Sequence, residues 1–298
     1  MKNSPKIALL GTGLMGFPMA KNILAAGYRL KVWNRSLQKA APLGVEGALV
    51  CDNAADAVRE ADIVVTMLTN GAVVNDLLFV QHIAESMTAG TMLVDMSSIK
   101  PAEAKDNAAR LDSMGIKHLD APVSGGTKGA EAGTLAIMAG GDAEVFEAAK
   151  PVLSAMGRAV RVGPAGAGQL AKLANQAIVG IAIGAVSEAM LMAQKGGADP
   201  AAIRDALKGG FADSTILQQH GERMTSGNFE PGGLSSIQLK DMNNILEEAE
   251  SLGLQLPLSE HIRDRYKRLC EELNGGDKDH SGLYLELCDR NSTQPFSS

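Results

Sequence analysis

Aromatic side chains are scarce: six Phe, three Tyr and one Trp in 298 residues, or 3%. Base-stacking platforms therefore have little to be built from, and the cores must be aliphatic, which suits helix-on-sheet and helix-on-helix packing. Cysteine is equally scarce. Cys51, Cys270 and Cys288 are far apart and form no CxxC pair, which excludes a disulfide framework and fits a reducing compartment. There is no basic tract, and the formal charge is -6, which argues against nucleic acid as a partner. His82, His118, His220, His261 and His280 fall in no metal-ligand spacing, so no metal is expected. The opening MKNSPKIALLGTG runs straight into a glycine loop, so no signal peptide is expected. The apolar run 177–192 is broken by Ser187 and Glu188 and reads as a buried helix, with no membrane partner. A cytoplasmic, globular protein is expected.

What is abundant is aliphatic: hydrophobic residues make up 45% of the chain. Short apolar runs at KIALL, RLKVW, 61–68, 90–98, IKHLDAPVS, TLAIMAGG and RAVRVGP read as strands. Helical patterns near 53–60, 71–86, 101–113 and 142–157 separate several of them. That alternation predicts an α/β fold with a parallel sheet covered on both faces. It stops near Pro164. Beyond it, 167–195, 199–208, 213–225, 235–252, 257–273 and 280–288 all read as helix. Two domains are expected: a Rossmann-type N-terminal domain over 1–164 and an all-helical C-terminal domain over 165–298, with a long helix between them. That helix is apolar on every face beyond its first turns, so it requires cover all round. A homodimer or homotetramer is the expected source of that cover.

The segment GTGLMG supplies Gly11, Thr12, Gly13, Leu14, Met15 and Gly16. A G-x-G-x-x-G that follows a strand and opens a helix suits a dinucleotide pyrophosphate: a tight turn, close backbone approach, then free N–H groups at the helix start. The second strand ends in Asn34, Arg35 and Ser36. An NAD site usually carries a carboxylate here for the ribose hydroxyls. Arg35 and Ser36 instead suit a 2′-phosphate, so NADP(H) is favoured. NAD(H) is possible if Arg35 only stacks on adenine.

Ser124, Gly125 and Gly126 follow another strand. One hydroxyl and consecutive glycine N–H groups suit a carboxylate, or make an ordinary glycine turn. Lys172, Asn175 and Gln176 stand at i, i+3 and i+4 and share one face of the long helix. Burial lowers a lysine pKa into the range of proton transfer, whereas a lysine near a helix start can also snorkel to solvent. Lys240, beside Asp241, is a second candidate cation or a solvated helix lysine.

Four motifs in order, IALLGTGLMGFPMAKNILAAGY, DAPVSGGTKGAEAGTLAIMAGG, GAGQLAKLANQ and IQLKDMNNIL, resemble the β-hydroxyacid dehydrogenase family over about residues 5–290. That family includes 3-hydroxyisobutyrate dehydrogenase, tartronate semialdehyde reductase and 6-phosphogluconate dehydrogenase. The resemblance implies that Lys172 is the catalytic acid/base and that Ser124, Gly125 and Gly126 hold a substrate carboxylate. It implies that Lys240, Ser98, Met67 and Leu68 line the cofactor, Lys240 also facing substrate. Many members have asparagine four residues after the lysine; Gln176 stands there and Asn175 precedes it, so either amide could touch substrate. KLANQ and GGFADSTIL look like the tartronate semialdehyde reductase branch, and NADP-dependent reduction of that aldehyde acid to glycerate is the implied reaction. 3-Hydroxyisobutyrate, succinic semialdehyde/4-hydroxybutyrate and threonate remain rival substrates, and a non-catalytic cofactor-binding protein is the rival of another class.

Overall fold

The computed structural model describes residues 4–296, which pack as two compact units, one through Lys172 and the other from Leu173.

The first unit is built on one sheet. Its strands are β1 (Lys6–Leu10), β2 (Arg29–Trp33), β3 (Leu49–Val50), β4 (Ile63–Thr66), β5 (Met92–Asp95), β6 (Lys117–Asp120), β7 (Val123–Ser124), β8 (Leu135–Gly141) and β9 (Gly157–Gly163). β3, β2, β1, β4, β5 and β6 lie side by side and parallel. The period-2 alternation sends Ile7, Leu9, Ile63 and Val65 to the core on one face and Ala8, Leu10 and Val64 to the core on the other. Both faces are thus apolar, as a helix-covered sheet requires.

The expectation of a wholly parallel sheet needs correcting. β8 runs antiparallel to β6 and to its continuation β7. The link between β7 and β8 holds only the short helix Gly126–Ala132 and a left-handed Gly133, too little chain for a parallel crossover. β9 then returns parallel to β8 by way of the helix Ala143–Leu153. The helix Gly126–Ala132 and the two-residue β3 were not anticipated. The stretch 71–86 is not one helix: it breaks into Gly71–Asn75, a π-helical turn Asp76–Val80 and a 3-10 turn Ala84–Ser86. By contrast, Pro101–Ser113 forms as its pattern dictates, with Pro101 in the first turn and the Glu103 carboxylate accepting the Lys100 N–H at 2.8 Å.

The long helix runs from Ala167 to Lys195. In the second unit its later turns pack with Pro200–Leu207, Thr215–Ser226, Ser235–Ser251, Pro257–Glu271 and Leu283–Arg290. A Cβ on Gly180 would lie 3.0 Å from the Met242 sulfur, and one on Gly184 2.5 Å from Ile262 Cδ1; glycine lets the neighbouring helices approach. This chain by itself does not cover the helix all round. Its most apolar window is 50% buried, and Ile178 and Met192 are 69% and 74% exposed, because the covering helices occupy one side. Among the described residues this is the one helix whose length and composition would suffice to cross a bilayer; in the protein it contributes its buried side to a packed helical core.

Candidate active site

The glycine motif begins where β1 ends. Gly11 donates its N–H to Trp33 O at 2.9 Å, and Met67 donates to Leu10 O at 2.9 Å, so the ladders on both sides of β1 run into the loop. Gly11 has φ +102°, and a Cβ there would stand 2.3 Å from Met67 O. A Cβ on Gly16 would stand 1.9 Å from Gly11 O. These two glycines are demanded by the chain's own packing. Gly13 is different: among the described residues nothing lies within 4 Å of where its Cβ would point. The space above Gly13 is open, and the helix Gly16–Ala25 begins just beyond with no side-chain cap. That arrangement fits a phosphate group, which would take the free N–H groups. Leu14 and Met15 complete the turn; Leu14 is exposed and Met15 packs on the core.

Asn34 braces the loop from the end of β2. Its Oδ1 accepts the Thr12 N–H at 3.0 Å and its Nδ2 donates to Ser36 O at 3.0 Å. Arg35 and Ser36 are exposed beside it. No carboxylate occupies positions 34–36.

Met67 and Leu68 follow β4, and both are half-buried. Leu68 donates its N–H to Ser97 Oγ at 2.9 Å. Ser97 donates its N–H to Asp95 Oδ1 at 3.0 Å, and Thr66 Oγ donates to the same oxygen at 2.8 Å. Asp95 is fully buried, and its Oδ2 has no hydrogen-bond partner among the described residues. Burial pushes its carboxyl up to about 6, against the opposing effect of the Ser97 and Thr66 hydrogen bonds. Ser98, the hydroxyl singled out in the sequence, is half-exposed next to this node.

Ser124 ends β7. Gly125 and Gly126 follow at φ +137° and +61°, open to solvent, and Gly126 starts the short helix, whose leading N–H groups have no intrahelical acceptor. The Lys172 ammonium donates to Val123 O at 2.9 Å. The structure therefore brings Lys172 to the backbone immediately before the Ser124–Gly126 turn. Asp120 caps the start of the long helix, its oxygens accepting the N–H groups of Gly166 at 2.8 Å and Gln169 at 2.9 Å. Burial raises the Asp120 carboxyl, and these backbone bonds partly offset the rise.

Asn175, Gln176 and Lys240 belong to the second unit. Gln176 is buried and its amide is committed: Nε2 donates to Asp241 Oδ2 at 2.8 Å and to Gln238 Oε1 at 3.2 Å, and Oε1 accepts from Asn175 Nδ2 at 2.8 Å. Asp241 also holds the Lys240 ammonium at 3.2 Å. Gln176 therefore orients Asn175, while Lys240, partly exposed, keeps one face open. Sequence reasoning missed Asp95, Ser97, Asp120 and Gln169. Their signal was available: carboxylates that close apolar strands (VD, LD), and an amide in the first turn of a helix.

Residues 6–163 match the family model of the NAD binding domain of 6-phosphogluconate dehydrogenase, and residues 166–287 match that of the NAD-binding part of NADP-dependent 3-hydroxyisobutyrate dehydrogenase. The chain is 41% identical over 284 residues to 2-hydroxy-3-oxopropionate reductase of Escherichia coli (strain K12), covering 95% of this chain and 97% of that one. It is 34% identical over 262 residues to 2-(hydroxymethyl)glutarate dehydrogenase of Eubacterium barkeri, covering 87% of each. Among solved structures, 3-hydroxyisobutyrate dehydrogenase of Mycobacterium tuberculosis, determined with L-serine, superposes with a TM-score of 0.87 at 32% identity, covering 95% of this chain and 99% of that one. Two family models that together span nearly the whole chain, over a glycine cradle with room for a phosphate, place this protein in the β-hydroxyacid dehydrogenase family of NAD(P)-dependent oxidoreductases.

Proposed function

We propose that the protein reduces a small aldehyde acid with NADPH, and that the substrate is tartronate semialdehyde (2-hydroxy-3-oxopropionate), giving glycerate. The observation that carries the reading is the Lys172 ammonium held 2.9 Å from Val123 O, beside the Ser124–Gly126 turn. The 41% identity to a 2-hydroxy-3-oxopropionate reductase supports the substrate. Bound NADPH supplies the hydride. Gly11, Thr12, Gly13, Leu14, Met15 and Gly16 cradle its pyrophosphate, and Arg35 and Ser36, steadied by Asn34, meet the 2′-phosphate. Met67, Leu68, Ser98 and Lys240 line the remainder. Ser124 and the N–H groups of Gly125 and Gly126 hold the substrate carboxylate and so orient the aldehyde carbon. Protonated Lys172 gives its proton to the carbonyl oxygen; in the oxidative direction neutral Lys172 takes it back. Asn175, oriented by Gln176, steadies the lysine's partner oxygen.

A second reading, 3-hydroxyisobutyrate oxidation, is favoured by the family model over 166–287 and by the structure superposing at a TM-score of 0.87. A panel of tartronate semialdehyde, methylmalonate semialdehyde and succinic semialdehyde, each with NADPH and NADH, separates the readings. The first is overturned if kcat/KM is highest for methylmalonate semialdehyde, or if NADH is preferred more than tenfold.

The working domains are taken as 1–164 for cofactor and 165–298 for substrate and assembly. The protein is proposed to be cytoplasmic and to work as a homodimer or homotetramer, the copies covering the exposed Ile178–Met192 side of the long helix. Light scattering at micromolar concentration tests this: an active 31.0 kDa monomer overturns it.

A further inference from the structure

The first turn of the long helix is gripped more firmly than helix formation requires. Gly168 is pressed so close that a Cβ there would lie 2.4 Å from both Asp120 O and Met138 O. Next to it, Gln169 is fully buried and every polar atom of its amide is used: Nε2 donates to Ser97 O at 2.8 Å, and Oε1 accepts the Ile99 N–H at 3.1 Å. One side chain thus holds the backbone on both sides of Ser98. Ser97 in turn accepts the Leu68 N–H on its hydroxyl and donates its own N–H to Asp95. Gln169 stands three residues before Lys172, one turn back along the same helix.

We infer that Gln169 is a positioning residue for the reaction: its amide locks the Ser97–Ile99 backbone to the helical turn that carries Lys172, and so fixes where Ser98 stands relative to the ammonium. The inference rests on the reading of Lys172 and Ser98 given above. A helix start needs its N–H groups capped, and Asp120 already does that. The Gln169 amide adds nothing to the cap. Its two bonds instead tie the loop after β5 to the helix, and through Ser97 they reach the Met67–Leu68 segment.

The test compares three variants with the wild type. Gln169→Met keeps the volume and removes both bonds. It should lower kcat roughly ten- to a hundredfold, the scale of a misplaced catalytic group, and weaken NADPH binding, followed by fluorescence titration, severalfold. Gln169→Glu gives the sharper readout. A protonated carboxyl can donate its O–H to Ser97 O and accept from Ile99 N–H, as the amide does. The ionised form faces the Ser97 carbonyl with a second oxygen, and the buried carboxylates of Asp95 and Asp120 serve the same cluster and oppose it. The ratio of Gln169→Glu to wild-type kcat should therefore fall as pH rises. A merely structural glutamine would lower the melting temperature of both variants and leave kcat per folded molecule unchanged at every pH. The inference is overturned if folded Gln169→Met keeps kcat and NADPH affinity within twofold of wild type. If Gln169→Met does not fold, a flat Gln169→Glu ratio overturns it alone. Lys172→Ala, assayed alongside, separates the two ideas: if it stays active the lysine reading fails, and if it is inactive while Gln169→Met is active only the positioning role fails.

Discussion

The two units bury carboxylates in opposite ways. In the first, Asp95 and Asp120 are wholly buried and neither has a cation within ion-pair distance among the described residues; hydroxyls and backbone N–H groups hold them, and burial raises both. In the second, Glu286 is equally buried but meets Arg265 at 2.8 Å, Arg268 at 3.0 Å and Arg290 at 2.8 Å. Burial raises that carboxyl too, but the three guanidinium groups outweigh it and the net shift is downward. Asp279 is also shifted downward, its burial overcome by His220, Ser281 and the Gly232 N–H, and the Arg223 guanidinium lies 3.8 Å away. A carboxylate neutralised by arginine fastens helices together and is finished. A carboxylate held by backbone dipoles leaves its surroundings uncommitted toward a ligand, at a cost in stability.

If that contrast is right, damage to the two kinds of site should read out differently. The largest expected effect is on stability. Glu286→Ala leaves the buried Arg265 with only the exposed Glu188 at 3.7 Å as an acidic partner and should cost about 3–5 kcal/mol in urea unfolding, with kcat per folded molecule unchanged. A loss below about 1 kcal/mol would make the network a surface-like one. Lys172→Ala should do the reverse: turnover falls at least about a hundredfold while the melting temperature and NADPH affinity barely move. Activity within a few-fold of wild type removes the lysine from the chemistry.

Asp95→Asn comes next and carries a pH signature. Burial pushes the folded carboxyl up to about 6, from an ordinary aspartate value of 3.8. The folded chain therefore holds the extra proton between those values, and wild-type stability falls as pH rises from about 4 to about 6. Asparagine has no such burden, and its amide carries an N–H₂ group in place of one carboxylate oxygen. Relative to wild type, the variant should gain up to about 3 kcal/mol between pH 4 and pH 7. Urea titrations at several pH values follow the gap; one that stays constant shows that Asp95 titrates normally. Arg35→Asp is the smallest of the four. It should shift kcat/KM from NADPH toward NADH by roughly tenfold or more, since a lost phosphate partner and a gained ribose acceptor act together. A wild type that already favours NADH would show that Asn34-Arg35-Ser36 does not read the 2′-phosphate.

How much of this was legible in the sequence differs between elements for physical reasons. The helix Pro101–Ser113 and the helix Ala167–Lys195 announce themselves through long periodic patterns with proline or glycine at their ends. The helix Gly126–Ala132 does not, because it lies in a glycine-rich segment of low propensity and forms where β7 and β8 hold its ends. The direction of β8 depends on that unseen helix. At the site, the Gly11–Gly16 motif and Lys172 stand out because each is costly without a use. Asp95, Ser97 and Gln169 do not: their meaning lies in partners about 30 to 70 positions away, which no local window contains. The long helix states a need for cover on every face, and its sequence does not say which molecule provides it.

The three glycines of the opening motif look interchangeable as letters, yet a genetic screen would sort them into two phenotypes. Alanine at Gly11 or Gly16 collides with the chain's own backbone, so those alleles should be cleared by proteolysis and appear as missing protein. Alanine at Gly13 collides with nothing among the described residues. That allele should fold, accumulate to normal abundance and fail only when a dinucleotide arrives: a null in which the protein itself is still present.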